Sequence, residues 1–183
     1  MTSKFFLLSL LLFTTTARGH HRTVLLLIDG FRWDYAERLT AEEVPAFARL
    51  RQEGVRTSWV QPNFPSISMP SWTTISTGLY PETHGIVGNY MYHPLTGDEF
   101  DMDLIGLDGD TTPERRWWKG HVPLWISATL AGLRTSMYHW SLCQVPFTEE
   151  NIRPEKCVPY NNVDTIVAEN FKDNLRESGS SVN

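Results

Sequence analysis

Five apolar residues in a row, Val24-Leu-Leu-Leu-Ile28, stand between polar Arg22-Thr23 and the turn-forming pair Asp29-Gly30. An unbroken apolar run of this length predicts a strand over 22–28 that is buried on both faces, as in a parallel sheet. Its C-terminal end would deliver Asp29 to the sheet edge where open α/β folds bind ligands. The period then changes. Val44, Phe47, Ala48 and Leu50 recur at helical spacing before Gly54, which predicts a helix over 44–53. Val55 to Val60 predicts a second strand. A helix is expected from near Pro70, a residue favoured in the first helical turn, to near Gly78. Residues 79–121 are rich in Gly, Pro, Asp and Trp and read as a long functional loop region. A helix over 123–130 is broken by Gly132, a strand follows over 135–140, and 163–175 has the spacing of an amphipathic helix. The polar tail 176–183 is expected to fray. Strand and helix alternate without an internal repeat, which favours an α/β fold with a parallel sheet.

The N-terminus changes where that fold begins. Lys4 precedes an apolar run from Phe5 to Phe13, then polar Thr14 to Thr16 and small Ala17 and Gly19. This is the pattern of a secretory signal peptide over 1–19, cleaved near Ala17 or Gly19. The run is too short to span a membrane. The 183 residues suffice for one domain with a real core. A net charge of -5 with no basic stripe argues against a nucleic-acid polymer as partner. On a secretory route Cys143 and Cys157, the only cysteines, can bond to each other, or they can stay as two buried thiols. No Asn-x-Ser/Thr acceptor for N-glycosylation is present.

Several side chains could carry chemistry. Asp29, at a strand end, suits a hard cation such as zinc, or simply accepts a structural hydrogen bond. Ser68 lies two residues before Pro70, at the mouth of the predicted helix, where free N–H groups and the positive dipole end favour an alkoxide or a phosphate. A serine there is also a common N-cap, and Ser66 and Ser71 compete with it. Asn89 follows Gly88, as a turn asparagine does. His93, His121 and His139 show no ligand spacing, and His20 and His21 fall at the new N-terminus. Trp117-Trp118, Pro123-Leu124-Trp125 and Met137-Tyr138-His139-Trp140 form an aromatic supply suited to a core or to a quaternary ammonium group.

Taken together, the strand ending in Asp29-Gly30-Phe31-Arg32, the run Ser68-Met-Pro70, and Pro81-Glu-Thr-His84-Gly85 followed by Gly88-Asn89 resemble the ectonucleotide pyrophosphatase/phosphodiesterase family of the alkaline phosphatase superfamily. The resemblance implies an alkaline-phosphatase-like, largely parallel sheet flanked by helices, and zinc as cofactor, two ions in the complete domain. It implies that Ser68 is the nucleophile, that Asp29 and Ser68 bind one zinc, and that Asn89 donates to the substrate phosphate. His84 matches a family motif without being a metal ligand and is expected to be structural. Ser71 departs from the asparagine usual in the family at that position. The Trp-Trp pair, the Pro-Leu-Trp turn, the cysteine spacing and a serine nucleophile are similar to the choline-specific branch, over about residues 22–172. That branch implies a choline-phosphate ester as the small-molecule substrate, such as glycerophosphocholine or lysophosphatidylcholine. Nucleotides and other lysophospholipids are the substrates of its neighbours in the family. A sulfatase would need arginine where Trp72 stands. The family's downstream Asp-x-x-x-His motif, Asp-His pair and later His are not in this sequence. Residues 20–183 therefore read as the N-terminal part of a catalytic domain, secreted or at the cell surface, and inactive alone. A membrane anchor could come only from a further C-terminal segment, and a secreted non-catalytic product is the alternative from another class.

Overall fold

The computed structural model describes residues 22–105, 109–118, 121–140 and 142–160. The signal-peptide pattern over 1–19, the helix expected over 163–175 and the tail lie outside them. The chain divides into two units, Met1–Arg32 and Trp33–Asn183. In the first, residues 22–28 belong to no helix or strand and are exposed, Val24 at 84% and Leu26 at 73%. The buried strand expected here is not formed, because no described strand pairs with it. A strand is defined by its neighbours, and an apolar run specifies only the wish for them.

The second unit begins with α1 (Tyr35–Arg38) and α2 (Pro45–Glu53). Pro45 in the first turn loses no hydrogen bond, and Gly54 closes α2 by donating its N–H to the Leu50 carbonyl. Val55 and Val60 are almost fully exposed, and no strand forms over 55–60. Helix α3 spans Ser68–Thr77 and so starts two residues before the expected proline. Pro70 is tolerated as its third residue because first-turn N–H groups have no partner within the helix. Gly78, at φ 73°, ends α3 with its N–H on the Thr74 carbonyl at 2.8 Å.

The expected loop 79–121 holds several short elements instead. These are α4 (Pro81–His84), β1 (Tyr90–His93), β2 (Asp98–Asp101) and 3-10 turns over Met102–Leu104 and Arg115–Trp118. Strands β1 and β2 form an antiparallel hairpin with Tyr90 opposite Asp101. Helix α5 (Leu124–Leu130) and β3 (Ser136–Tyr138) fall where the pattern puts them, and β4 (Lys156–Val158) pairs parallel to β3. The class is α/β. The sheets among the described residues are these two pairs, one antiparallel and one parallel, rather than one broad parallel sheet.

The core gathers Met69 from α3, Ile86, Phe100 from β2, Ile105, Trp118, Trp125 and Ile126 from α5, Val145 and Phe147. Its rings meet edge to face: Phe100 with Trp118 at 5.9 Å, Trp118 with Phe147 at 5.7 Å, and Trp125 with Phe147 at 5.9 Å. Each such pair adds about 1 kcal/mol beyond its buried area. Trp118 also donates its indole N–H to the Thr112 carbonyl at 2.7 Å. Trp118 and Trp125 are thus core residues. Cys143 and Cys157 form a disulfide across 14 residues, fastening β4 to the preceding loop. Closing a loop of that length stabilises by about 3 kcal/mol in the chain-entropy account.

Candidate active site

Ser68 is the first residue of α3, and the N-cap position belongs to Ile67, whose side chain caps nothing. The Ser68 hydroxyl is therefore not spent on the helix, and the N-cap alternative for this serine falls. Met69 follows, fully buried in the core, so the backbone on one side of Ser68 is fixed while Ser68 stays half-buried. Ser66 is exposed ahead of the helix. Ser71 donates its hydroxyl to Asn63 Oδ1 at 3.0 Å, one turn along. Of the three competing serines, Ser68 is the one in the first position of the helix.

The capping group comes from far along the chain. Asn89 Oδ1 accepts the Met69 N–H at 2.9 Å, taking up a free donor of the first turn of α3. This contact fixes the flip of the carboxamide, since only its oxygen can accept. The Nδ2 amide group then has both its hydrogens to offer beside the residue that follows Ser68. The Asn89 backbone is held as well, for its carbonyl accepts the Met102 N–H at 2.8 Å at the foot of the hairpin. Gly88 must be glycine, because a Cβ there would lie 2.6 Å from the Tyr90 carbonyl oxygen.

His84 closes α4 and is buried. Its Nδ1 accepts the Ile86 N–H at 3.1 Å, so the ring proton sits on Nε2, which faces Thr74 Oγ1 at 3.1 Å. Burial pushes the imidazole below its ordinary pKa, so the neutral tautomer persists. This is the structural role expected of His84. Burial likewise lowers His139, whose ring packs on Tyr160 at 4.9 Å.

Asp29 lies in the first unit, at the end of the apolar run, where Gly30 turns the chain at φ 65°. The structure brings Asn89 to the residue that follows Ser68, and Asp29 belongs to the first unit. Among the described residues no group of three His, Cys, Asp or Glu side chains could hold a metal ion. A zinc site needs about four donors, so zinc does not fit these residues by themselves. Three contributions were not legible beforehand: the Met69 N–H as partner of Asn89, the Thr74 partner of His84, and the Asn63 partner of Ser71. Gly88 directly before Asn89 was the one local signal of a tight approach.

Comparison with known proteins bears on the family and the fold. The family model described as type I phosphodiesterase / nucleotide pyrophosphatase matches residues 23–179. An uncharacterized pyrophosphatase/phosphodiesterase of Schizosaccharomyces pombe is 36% identical over 117 residues, which cover 64% of this chain and 23% of that protein. Ectonucleotide pyrophosphatase/phosphodiesterase family member 3 of Bos taurus is 34% identical over 117 residues, covering 64% of this chain and 13% of that one. Among solved structures, murine ectonucleotide pyrophosphatase/phosphodiesterase 5, in an inactive form in complex with AMP, superposes with a TM-score of 0.66 at 28% identity. That match covers 81% of this chain and 36% of the murine one. The human counterpart gives the same values. The chain thus spans well under half the length of these relatives, and its α/β fold is that of the corresponding stretch of their catalytic domain. On the strength of the match over 23–179, the chain belongs to the type I phosphodiesterase / nucleotide pyrophosphatase family.

Proposed function

We propose that this chain supplies the nucleophile and the phosphate-orienting amide of a phosphodiester hydrolase. The observation that carries the reading is the contact of Asn89 Oδ1 with the Met69 N–H, directly beside Ser68 at the start of α3. Ser68 Oγ gives up its proton and attacks phosphorus, and the ester oxygen leaves with the electrons of the broken P–O bond and takes up a proton from water. The resulting phosphoserine is then cleaved by water, which restores the hydroxyl. The positive end of α3 and the Asn89 Nδ2 hydrogens face the charge that builds on the non-bridging oxygens. Zinc, two ions in the complete domain as the resemblance implies, would activate the serine hydroxyl and neutralise the leaving oxygen when bound. Asp29 and Ser68 are its proposed ligands here, and the described residues do not complete a site.

The substrate we favour is a choline-phosphate ester, glycerophosphocholine or lysophosphatidylcholine, with phosphocholine as product. Supporting it is the serine at position 68, which matches the choline-specific branch that the sequence resembles. A nucleotide substrate is the second reading, favoured by the AMP complex of the murine relative. Secretion through a leader over 1–19 fits the disulfide, which persists in oxidising compartments. The test is hydrolysis of p-nitrophenyl phosphorylcholine against p-nitrophenyl thymidine monophosphate by the complete catalytic domain containing this segment. Preference for the first supports the choline reading, and preference for the second replaces it. Ser68→Ala should lower kcat by about 10⁴ or more on either substrate while zinc content is retained. Turnover close to wild type in that variant would remove Ser68 as nucleophile.

A further inference from the structure

Residues 84–89 are fastened to α3 at both ends. At one end the Nε2–H of His84 donates to Thr74 Oγ1 at 3.1 Å. At the other, Asn89 Oδ1 accepts from Met69 N at 2.9 Å. Thr74 and Met69 stand five residues apart on the helix, a rise of about 7.5 Å. Six residues of extended chain reach about 20 Å, so the segment has slack to lose. Gly85, at φ 81°, and Gly88 fold it back. Ile86 drops into the core between the two ties, and its N–H is the one held by His84 Nδ1. One imidazole therefore shapes the turn with one nitrogen and moors it to the nucleophile's helix with the other.

We propose that His84 is a positioning residue for Asn89: by tying the 84–89 segment to Thr74, it sets the Asn89 carboxamide against the start of α3 beside Ser68. This rests on the reading of Ser68 and Asn89 given above. A His84 that only satisfies the core would stabilise the fold without being felt at Asn89. The two roles separate because the two nitrogens can be replaced one at a time. His84→Gln puts an amide N–H where Nε2 stands and keeps the tie to Thr74. His84→Asn puts an oxygen where Nδ1 stands, keeps the Ile86 contact and loses the tie. Thr74→Val removes the hydroxyl partner on the helix side with little change of volume, leaves the Pro70 carbonyl that the ring also meets, and serves if a His84 variant fails to fold.

The experiment is NMR on the 183-residue chain, reading hydrogen exchange of the Met69 amide and the chemical shifts of the Asn89 side-chain amide. His84→Asn should speed Met69 exchange about tenfold, the loss of roughly one hydrogen bond's net contribution to local opening, and Thr74→Val less, because the Pro70 carbonyl still meets the ring. They should also move the Asn89 side-chain amide toward the position of a free carboxamide, while His84→Gln leaves both near wild type. In the complete catalytic domain, Thr74→Val should lower kcat with KM little changed and should add little to the effect of Asn89→Ala. Met69 protection and Asn89 shifts unchanged in both His84→Asn and Thr74→Val would overturn the proposal. These readouts need no turnover, so they stand apart from the active-site reading, which fails separately if Ser68→Ala stays active.

Discussion

At the scale of single residues, the site depends on which atom faces which. Asn89 has two jobs on two atoms: Oδ1 caps α3, and Nδ2 is free to meet a phosphate. Asn89→Asp keeps an acceptor for the Met69 N–H and adds negative charge at a helix N-terminus, so stability should stay within about 0.5 kcal/mol of wild type. Asn89→Ala loses the cap and should cost about 1–2 kcal/mol. Both should depress kcat/KM of the complete domain, and the aspartate more, because it repels the phosphate. Chemical denaturation set beside kinetics checks the split. Gly88→Ala should destabilise by about 1–3 kcal/mol through the clash with the Tyr90 carbonyl. His84 predicts an acid limb. Its folded pKa lies below its unfolded value of about 6.5. Its contribution is therefore complete above that value and is withdrawn as pH falls through the lower, folded one. Thermal melts from pH 8 to pH 5 should show this loss, and His84→Gln should flatten it in part, since half-buried His139 shares the trend. Ser68 and Asn89 were legible as residue types at motif spacing. Their contact was not, because 20 residues separate Asn89 from Met69 and nothing local in either segment specifies the other.

At the scale of elements, legibility followed the source of each element's stability. Helix α2 was readable end to end because its signals are local: spaced apolar positions, a first-turn proline and a closing glycine. Helix α5 and β3 were readable for similar reasons. The strands expected over 22–28 and 55–60 were not, since a strand draws its hydrogen bonds from partners elsewhere in the chain. The stretch 79–121 hid a hairpin and three short helical turns, each of three or four residues, below the window in which periodicity can be counted. Its tryptophans are there for packing, as Trp118 shows between Phe100 and Phe147. Strand β4, three residues long, is held against β3 with Cys157 in its middle. Reducing the Cys143–Cys157 bond should therefore cost about 3 kcal/mol. The β3–β4 amides should lose hydrogen-exchange protection before those of α3, and exchange mass spectrometry with and without reductant reads the order.

At the scale of the whole molecule, the balance of apolar surface decides how the chain behaves alone. Soluble monomers rarely leave large contiguous apolar patches in water. Here residues 24–28 are all exposed in one unbroken apolar run. Val55, Trp59, Val60 and Phe64 are all more than half exposed. An unpaired extended segment also offers its backbone N–H and C=O groups to any passing strand. Five apolar side chains left in water forgo roughly 1.5–3 kcal/mol each relative to burial. That is comparable to the whole stability of a small domain. The chain should therefore bind a hydrophobic dye such as ANS in its native buffer and associate with a steep dependence on concentration. Leu25→Lys and Leu26→Lys each place a charge within the run. If edge pairing through 22–28 drives association, either substitution should raise the concentration at which sedimentation first shows dimers, and the pair together more than either alone. If association comes from the surface around Trp59 instead, both substitutions leave it unchanged and Trp59→Lys lowers it. A chain that stays monomeric at all concentrations and leaves the dye dark would mean that this apolar surface is covered, and that the 22–28 run has found its neighbours after all.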